Sequence, residues 1–478
     1  MIQGLIFGIS IAIAVAAFFI FRGERKKYFH TTLKVIAILY FTWVFFRYML
    51  ADSFIWVIKG GYYGDIYYES TDYLHSILRW GHYVSYIAIP MAVFFKSRLF
   101  KNICIYFCLP FAILSTIYFG DFIFYFMAPN DRGIHTAEWF RQFYLSIEFI
   151  IAIVVPLLFV VVDRHYFNVK DKTEWKNFLL SLPFMILLLI PVYLPQSLFG
   201  YTSITLESMT IGNLIWFIVT AIELVSLYLI FRFKNARERY MVCMFLALAL
   251  FMHYNSLFLM GLTIDRLPIQ LCNLAAYMFV PVLLLKKQSF FNFVFLANVM
   301  GTLIAMLAPD INGGAADFWN VHFLIEHMQV LVIPCLCMLL RLFPRLEPKA
   351  LKHLAIGFSI YFLFCWATGT ILNGYADVGG YEKVNFFYIF DLAKAFDYFP
   401  FLSVTENVHW VLFDKFHIYP IFQLIIYFGF LSLCLLLYFT VIKLYDILDD
   451  HYELRKARIN MYEKISKKPF KGQKEYID

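Results

Sequence analysis

The sequence predicts an all-α polytopic membrane bundle of about thirteen transmembrane helices, in which one unit of six or seven helices occurs twice in parallel tandem copies. Three observations predict this. Of 478 residues, 62% are hydrophobic and 15% charged, with a mean hydropathy of +0.70, a balance that no soluble surface accommodates. The apolar residues fall into runs of about 20, the length that spans about 30 Å of hydrocarbon. Punctuating residues of the first half also recur, in the same order, in the second.

The runs centre near Ile11, Tyr40, Ser85, Leu114, Ile151 and Leu187, then near Val225, Phe251, Phe279, Phe295, Val332, Tyr361 and Ile425. The first is too long, and too well continued by other spans, to be a cleaved signal peptide, and reads as a signal-anchor. Loop charges set the orientation, because short basic loops stay in the cytoplasm while acidic residues count for little. Arg22 to Lys27, Lys96 to Lys101, Arg164 to Lys176, Arg232 to Arg239, Lys286-Lys287, Arg341 to Lys352 and the tail from Arg455 to Lys474 each follow an odd-numbered span. The intervening loops hold Asp52, Asp65, Glu69, Asp72, Asp121, Asp131, Glu207, Asp265, Asp310, Asp317 and the acidic residues of 377–414. The expected topology therefore has the N-terminus outside and the C-terminus in the cytoplasm.

The recurrence runs through three elements. Ile20-Phe21-Arg22 and a basic run to Tyr28 return as Ile230-Phe231-Arg232 and a basic run to Tyr240. Tyr86 and Pro90, followed by Lys96 and Phe100, return as Tyr277 and Pro281, followed by Lys287 and Phe291. Ile147-Glu148 and Pro156 return as Ile325-Glu326 and Pro334. Six spans in the first copy give the second the same orientation, hence a parallel repeat. The expected organisation is an N-terminal membrane bundle over 1–210, a C-terminal one over 211–449 and a basic cytoplasmic tail over 450–478. The net charge of +7 is mostly this topology, with the tail in the anionic field of the inner leaflet or docked to a cytoplasmic partner, and it does not imply nucleic-acid binding.

With the copies aligned, Cys272 stands opposite Gly81 and His327 opposite Phe149, so chemistry at this pair would belong to the second half alone. The eight cysteines, at 104, 108, 243, 272, 335, 337, 365 and 434, contain no C-x-x-C and no thiolate cluster at metal spacing. Most read as small apolar fillers. Cys272 differs because Gln270 and Asn273 bring amides beside the thiol just inside the outer end of the ninth span, where polar groups are expensive unless used. The eleventh span opens with His322, Glu326, His327 and Gln329 at a similar depth. One reading is a cysteine nucleophile activated by His327, with Gln270 or Asn273 stabilising an oxyanion. Another is ordinary interhelical hydrogen bonding. A third, with His322, Glu326 and His253 as metal ligands, rests on two ligands from one helix. His322 and Glu326, four apart, share a face. His253, Asn255, Glu223 and Glu148 line a polar interior, and the aromatic segment from Asn373 to Tyr419 suits the outer interface.

The second half, roughly Gly212 to Asp449, resembles the YwaF-type integral membrane family that includes transmembrane protein 164. The resemblance rests on Leu267-Pro268-Ile269-Gln270-Leu271-Cys272, similar to the family's L-P-L-H-L-C signature, on Gly301-Thr302-Leu303 running to Ala308-Pro309-Asp310, on His327, and on Asn385-Phe386-Phe387-Tyr388. It implies an acyltransferase-like enzyme in which Cys272 takes a fatty acyl group from a membrane phospholipid as a thioester and His327 acts as base. Gln270, Asn273, Glu326 and Asn385 are then the expected substrate-binding residues. The chain departs from the pattern at Gln270 and in its entire first half. A transporter or lipid-handling scaffold without catalysis is the alternative that the duplication favours. With no Walker, haem, flavin or dinucleotide motif, no cofactor and no metal are expected.

Overall fold

A computed structural model describes residues 2–49, 73–120, 137–188, 200, 202–256, 267–309, 311, 313–379, 382–392 and 399–466. The first half forms α1 (Ile2–Ile20), α2 (Lys26–Met49), α3 (Tyr73–Phe95), α4 (Arg98–Ile117), α5 (Glu138–Val161) and α6 (Lys172–Leu188). Cys104–Cys108 widens α4 into a π-helical turn. The second half forms α7 (Ile211–Phe231), α8 (Ala236–Ser256), α9 (Leu271–Leu285), α10 (Gln288–Leu307), α11 (Phe318–Leu339), α12 (Lys349–Gly379) and α13 (Pro420–Ser466). The predicted all-α membrane class is thus observed. Among the described residues eight helices, α1, α4, α5, α7, α10, α11, α12 and α13, are long and apolar enough to cross a membrane. The remaining predicted spans fall on α2, α3, α6, α8 and α9, which are shorter, less apolar or more charged over their described lengths.

The helix ends follow from the charges that punctuate the sequence. Lys96, Arg164, Lys286 and Arg341 take left-handed backbone with φ of 47°, 53°, 51° and 56°, just past the ends of α3, α5, α9 and α11. A non-glycine residue there costs about 1–2 kcal/mol, and a cation beside the negative end of the helix dipole offsets part of it. Pro90, Pro156, Pro281 and Pro334 lie inside the same four helices. Each removes a backbone donor, which packing against neighbouring helices tolerates.

Helix neighbours follow a regular pattern among the described residues. In the first half α1 packs on α4 and α5, α2 on α3 and α5, α3 on α4 and α5, and α4 on α5 and α6. Six helices later the pairs are α7 with α10 and α11, α8 with α9 and α11, α9 with α10 and α11, and α10 with α11 and α12. The halves meet where α3 packs on α8: Arg237 donates to the Phe95 carbonyl, and the Phe95 and Tyr240 rings lie 5.3 Å apart. Phe41 of α2 meets Phe251 of α8 at 4.5 Å.

At the end of the first half predicted to be cytoplasmic, Asn102 donates to Glu174 at 2.5 Å and accepts from His165 at 2.8 Å, Arg98 pairs with Glu174 at 3.1 Å, and Lys101 pairs with Asp163. Between α12 and α13 lies a hairpin of β1 (Trp410–Leu412) and β2 (Phe416–Ile418), antiparallel with Trp410 opposite Ile418. Phe401, Trp410 and Phe413 around it are exposed. Helix α13 stays helical across residue 450, and Asp449 pairs with Arg341 at 2.7 Å and with Arg345 at 3.1 Å. Asp52, Asp65, Glu69, Asp72, Asp121, Asp131, Asp265, Asp310, Phe396, Tyr398 and the tail beyond Ser466 lie outside the described residues.

Candidate functional site

Cys272 is the second residue of α9, in the turn where backbone N–H groups have no intrahelical acceptor. The first such bond in α9 runs from the Leu274 N–H to the Gln270 carbonyl at 2.9 Å. The N–H groups of Cys272 and Asn273 lie beside the Cys272 sulfur, and the thiol donates to Asn273 Oδ1 at 3.2 Å. Cys272 is half-buried, whereas six of the other seven cysteines are buried.

The segment leading into α9 is held from two sides. Tyr361 and Cys365 of α12 both donate to the Ile269 carbonyl, the tyrosine at 3.0 Å. Gln270 donates to the Asn385 carbonyl at 3.0 Å and accepts from the Phe387 N–H at 2.9 Å. Asn385 accepts from the Phe390 and Asp391 N–H groups, each at 3.0 Å, and so folds its own loop. Both amides are thereby engaged with backbone, while Asn273 remains beside the sulfur. On α10, Gly301 lets the helix approach Leu271, where an added Cβ would stand 2.9 Å from Leu271 Cδ2.

Helix α11 presents its polar residues in two directions, because adjacent residues on a helix point about 100° apart. Glu326 is buried and turned toward α8 and α9, within electrostatic reach of Cys272, Tyr254 and Tyr277. Its Oε1 has no hydrogen-bond partner among the described residues. His327, also buried, faces the other way: its ring lies 4.0 Å from Phe323 and 6.4 Å from Trp216 of α7. His327 Nδ1 donates to the Phe323 carbonyl at 2.8 Å, which leaves Nε2 with the ring's lone pair. No hydrogen bond joins His327 to Cys272 among the described residues. His322 stacks on His253 at 4.4 Å, and His253 Nε2 donates to the His322 carbonyl at 3.1 Å, an arrangement of packing rather than of converging ligands. Gln329 donates to Glu223 at 2.7 Å. The side chain of Asn255 lies outside the described residues.

The structure therefore gathers Cys272, Asn273 and Glu326 into one cluster and places His327 on an adjacent face of α11. Three residues of the cluster escape the sequence reading. Tyr254 bonds to the Asn273 side chain, Tyr277 lies near Glu326, and Tyr361 reaches Cys272 electrostatically. Only Tyr277 carried a signal, its recurrence as Tyr86. At the first-half residues that the sequence recurrence pairs with Tyr277, Glu326 and Cys272, Tyr86 hydrogen-bonds directly to Glu148, and a Cβ at Gly81 would lie 2.3 Å from Phe111 Cγ.

A family profile described as the TMEM164 family matches residues 198–442, slightly more than half of the chain. No curated protein and no solved structure matches.

Proposed function

The chain belongs to the TMEM164 family, and from that premise we propose that it is a membrane-embedded lipid acyltransferase in which Cys272 carries the acyl group as a thioester. The observation that carries this reading is the setting of Cys272: a half-buried thiol in the first turn of α9, where backbone N–H groups without intrahelical acceptors lie beside its sulfur. A thiolate there attacks the ester carbonyl of a phospholipid. The first-turn N–H groups and Asn273 stabilise the oxyanion, and collapse breaks the ester C–O bond and releases the lysophospholipid. His327, with Nε2 free to accept a proton, is the general base for the hydroxyl that takes the acyl group off again. Gln270 and Asn385 shape the site by fixing the loop over the mouth of α9.

Two features of the wider molecule belong to the same reading. The recurrence, six helices on, of each first-half helix-neighbour pair among the described residues supports a tandem duplication of one unit, and the loop charges support thirteen spans with the N-terminus outside and the C-terminus in the cytoplasm. The Phe111 ring against Gly81, the residue that the recurrence pairs with Cys272, supports a first half that is scaffold rather than enzyme. The duplication also favours a second reading, a transporter or lipid-handling scaffold, but the Tyr86–Glu148 bond leaves the two polar centres unlike each other. Release of lysophospholipid by the purified protein separates the two readings. Cys272→Ala should abolish it, His327→Ala should limit it to one equivalent per protein, and Cys335→Ala should leave it unchanged; unchanged release in Cys272→Ala would move the assignment to lipid handling.

A further inference from the structure

We propose that Glu326, rather than His327, is the group that takes the thiol proton of Cys272, so that α11 divides the proton traffic between two adjacent residues. The inference rests on the acyl-transfer reading and adds a catalytic residue to it. Glu326 is 6% exposed, its Oε1 is without a hydrogen-bond partner among the described residues, and no basic residue pairs with it there. A buried carboxyl group in that state is costly in a membrane interior and persists where it is used. Helix α11 packs on α8 and α9, and the groups on those helices that interact with Glu326 electrostatically are the thiol of Cys272 and the phenols of Tyr254 and Tyr277. His322 shares its helix face, but that ring is engaged with His253. The nearest groups to His327 are Phe323 and Trp216, on the side of α7.

The chemistry balances within the pair. The Cys272 S–H proton passes to the Glu326 carboxylate, and the thiolate forms a C–S bond with the ester carbonyl carbon. As the tetrahedral adduct collapses, the ester C–O bond breaks, and the leaving alkoxide takes the proton back from Glu326. The products are the thioester and a neutral lysophospholipid, with Glu326 again a carboxylate. One proton shared between thiol and carboxyl also avoids placing two negative charges in one apolar site. His327 is then free to act in the second half-reaction, on the incoming hydroxyl.

The test is the rate of iodoacetamide alkylation of Cys272 in the full-length protein in lipid nanodiscs, followed by peptide mass spectrometry across pH. Acyl-adduct formation is measured on the same samples. A shared proton gives wild type a two-step dependence of alkylation on pH. Glu326→Gln should collapse it to one step and slow acyl-adduct formation about a hundredfold or more, while Glu326→Asp and His327→Gln keep both steps. Glu326→Asp, which retains the carboxyl, distinguishes loss of the proton carrier from loss of folding. Superposition of the Glu326→Gln profile on that of wild type would overturn the proposal, as would loss of the first step in His327→Gln. A profile that depends on Glu326 in a wild-type protein that forms no acyl adduct would support the proton pair and remove the acyl-transfer reading on which its role rests.

Discussion

Replacing Gln270 by alanine should release the loop over the site before it affects any chemistry. The side chain makes two hydrogen bonds to this loop, donating to the Asn385 carbonyl at 3.0 Å and accepting from the Phe387 N–H at 2.9 Å. The loop needs that hold, because Phe387 and Tyr388 are consecutive residues with left-handed backbone, φ 55° and 57°. The Phe387 ring is wedged 5.3 Å from Phe358 and 5.0 Å from Phe430. Deleting the amide leaves one donor and one acceptor unpaired, at about 1–3 kcal/mol each, so a local loss of about 2–6 kcal/mol is expected. At 1.36 kcal/mol per factor of ten this corresponds to hydrogen exchange at the Phe387 amide that is faster by a factor of about 30 at the low end and about 26,000 at the high end. Exchange at the α9 amides beyond its first turn should stay unchanged. Hydrogen–deuterium exchange with peptide-level mass spectrometry across 382–392 reads the effect. Unchanged exchange there, together with lost acyl transfer, would refute the reasoning and return Gln270 to direct contact with substrate.

Gly81→Ala places a Cβ against Phe111 and should destabilise the first half by about 1–3 kcal/mol through overpacking, measured as a fall in thermal midpoint that Phe111→Ala partly relieves. The loop holding His165 and Glu174, at the end of the first half expected to be cytoplasmic, should lose stability in acid in two stages. Burial, Lys101 and Arg98 hold the His165 imidazole below its ordinary 6.5, so unfolding takes up a proton and stability falls as pH drops through 6.5. Burial alone would raise Glu174, but bonds from Asn102, Arg98 and the Asn168 N–H hold it below its ordinary 4.5, so its contribution is present above pH 4.5 and is lost as pH falls through the lowered value. Melting curves across pH should therefore lose their upper step, and keep the lower one, in His165→Gln. Asp317, exposed at the start of α11, lies on the outer face in the expected topology. Asp317→Cys should react with an impermeant maleimide added to cells whose outer surface is accessible, and protection would reverse the topology.

Composition and run length place the helices because every apolar stretch must find either lipid or another helix, and that constraint is local. Pro90, Pro156, Pro281 and Pro334 could be matched from the sequence for the same reason, and they fall inside α3, α5, α9 and α11. The placement of Cys272 at the start of α9 also follows locally, from Pro268 and the apolar run beyond it. What is not local was not legible. Whether Glu326 or His327 faces the thiol depends on the rotation of α11, and a rotation of about 100° separates the two. Nothing in the span fixes that angle, since α11 is flanked by α7, α8, α9 and α10 and has polar residues on more than one side. Gln270 reads as a free amide until the loop at Asn385 closes on it from across the bundle. Tyr361, which anchors Ile269, gives no signal as one tyrosine among 33.

Acylation of Cys272 is tested most directly by intact mass spectrometry of the purified protein after incubation with a phospholipid of defined chains. The expected result is a mass increase equal to one acyl chain, removed by hydroxylamine, absent in Cys272→Ala and retained in Cys335→Ala. No adduct on the wild-type protein, or an adduct of the same size on Cys272→Ala, would contradict it.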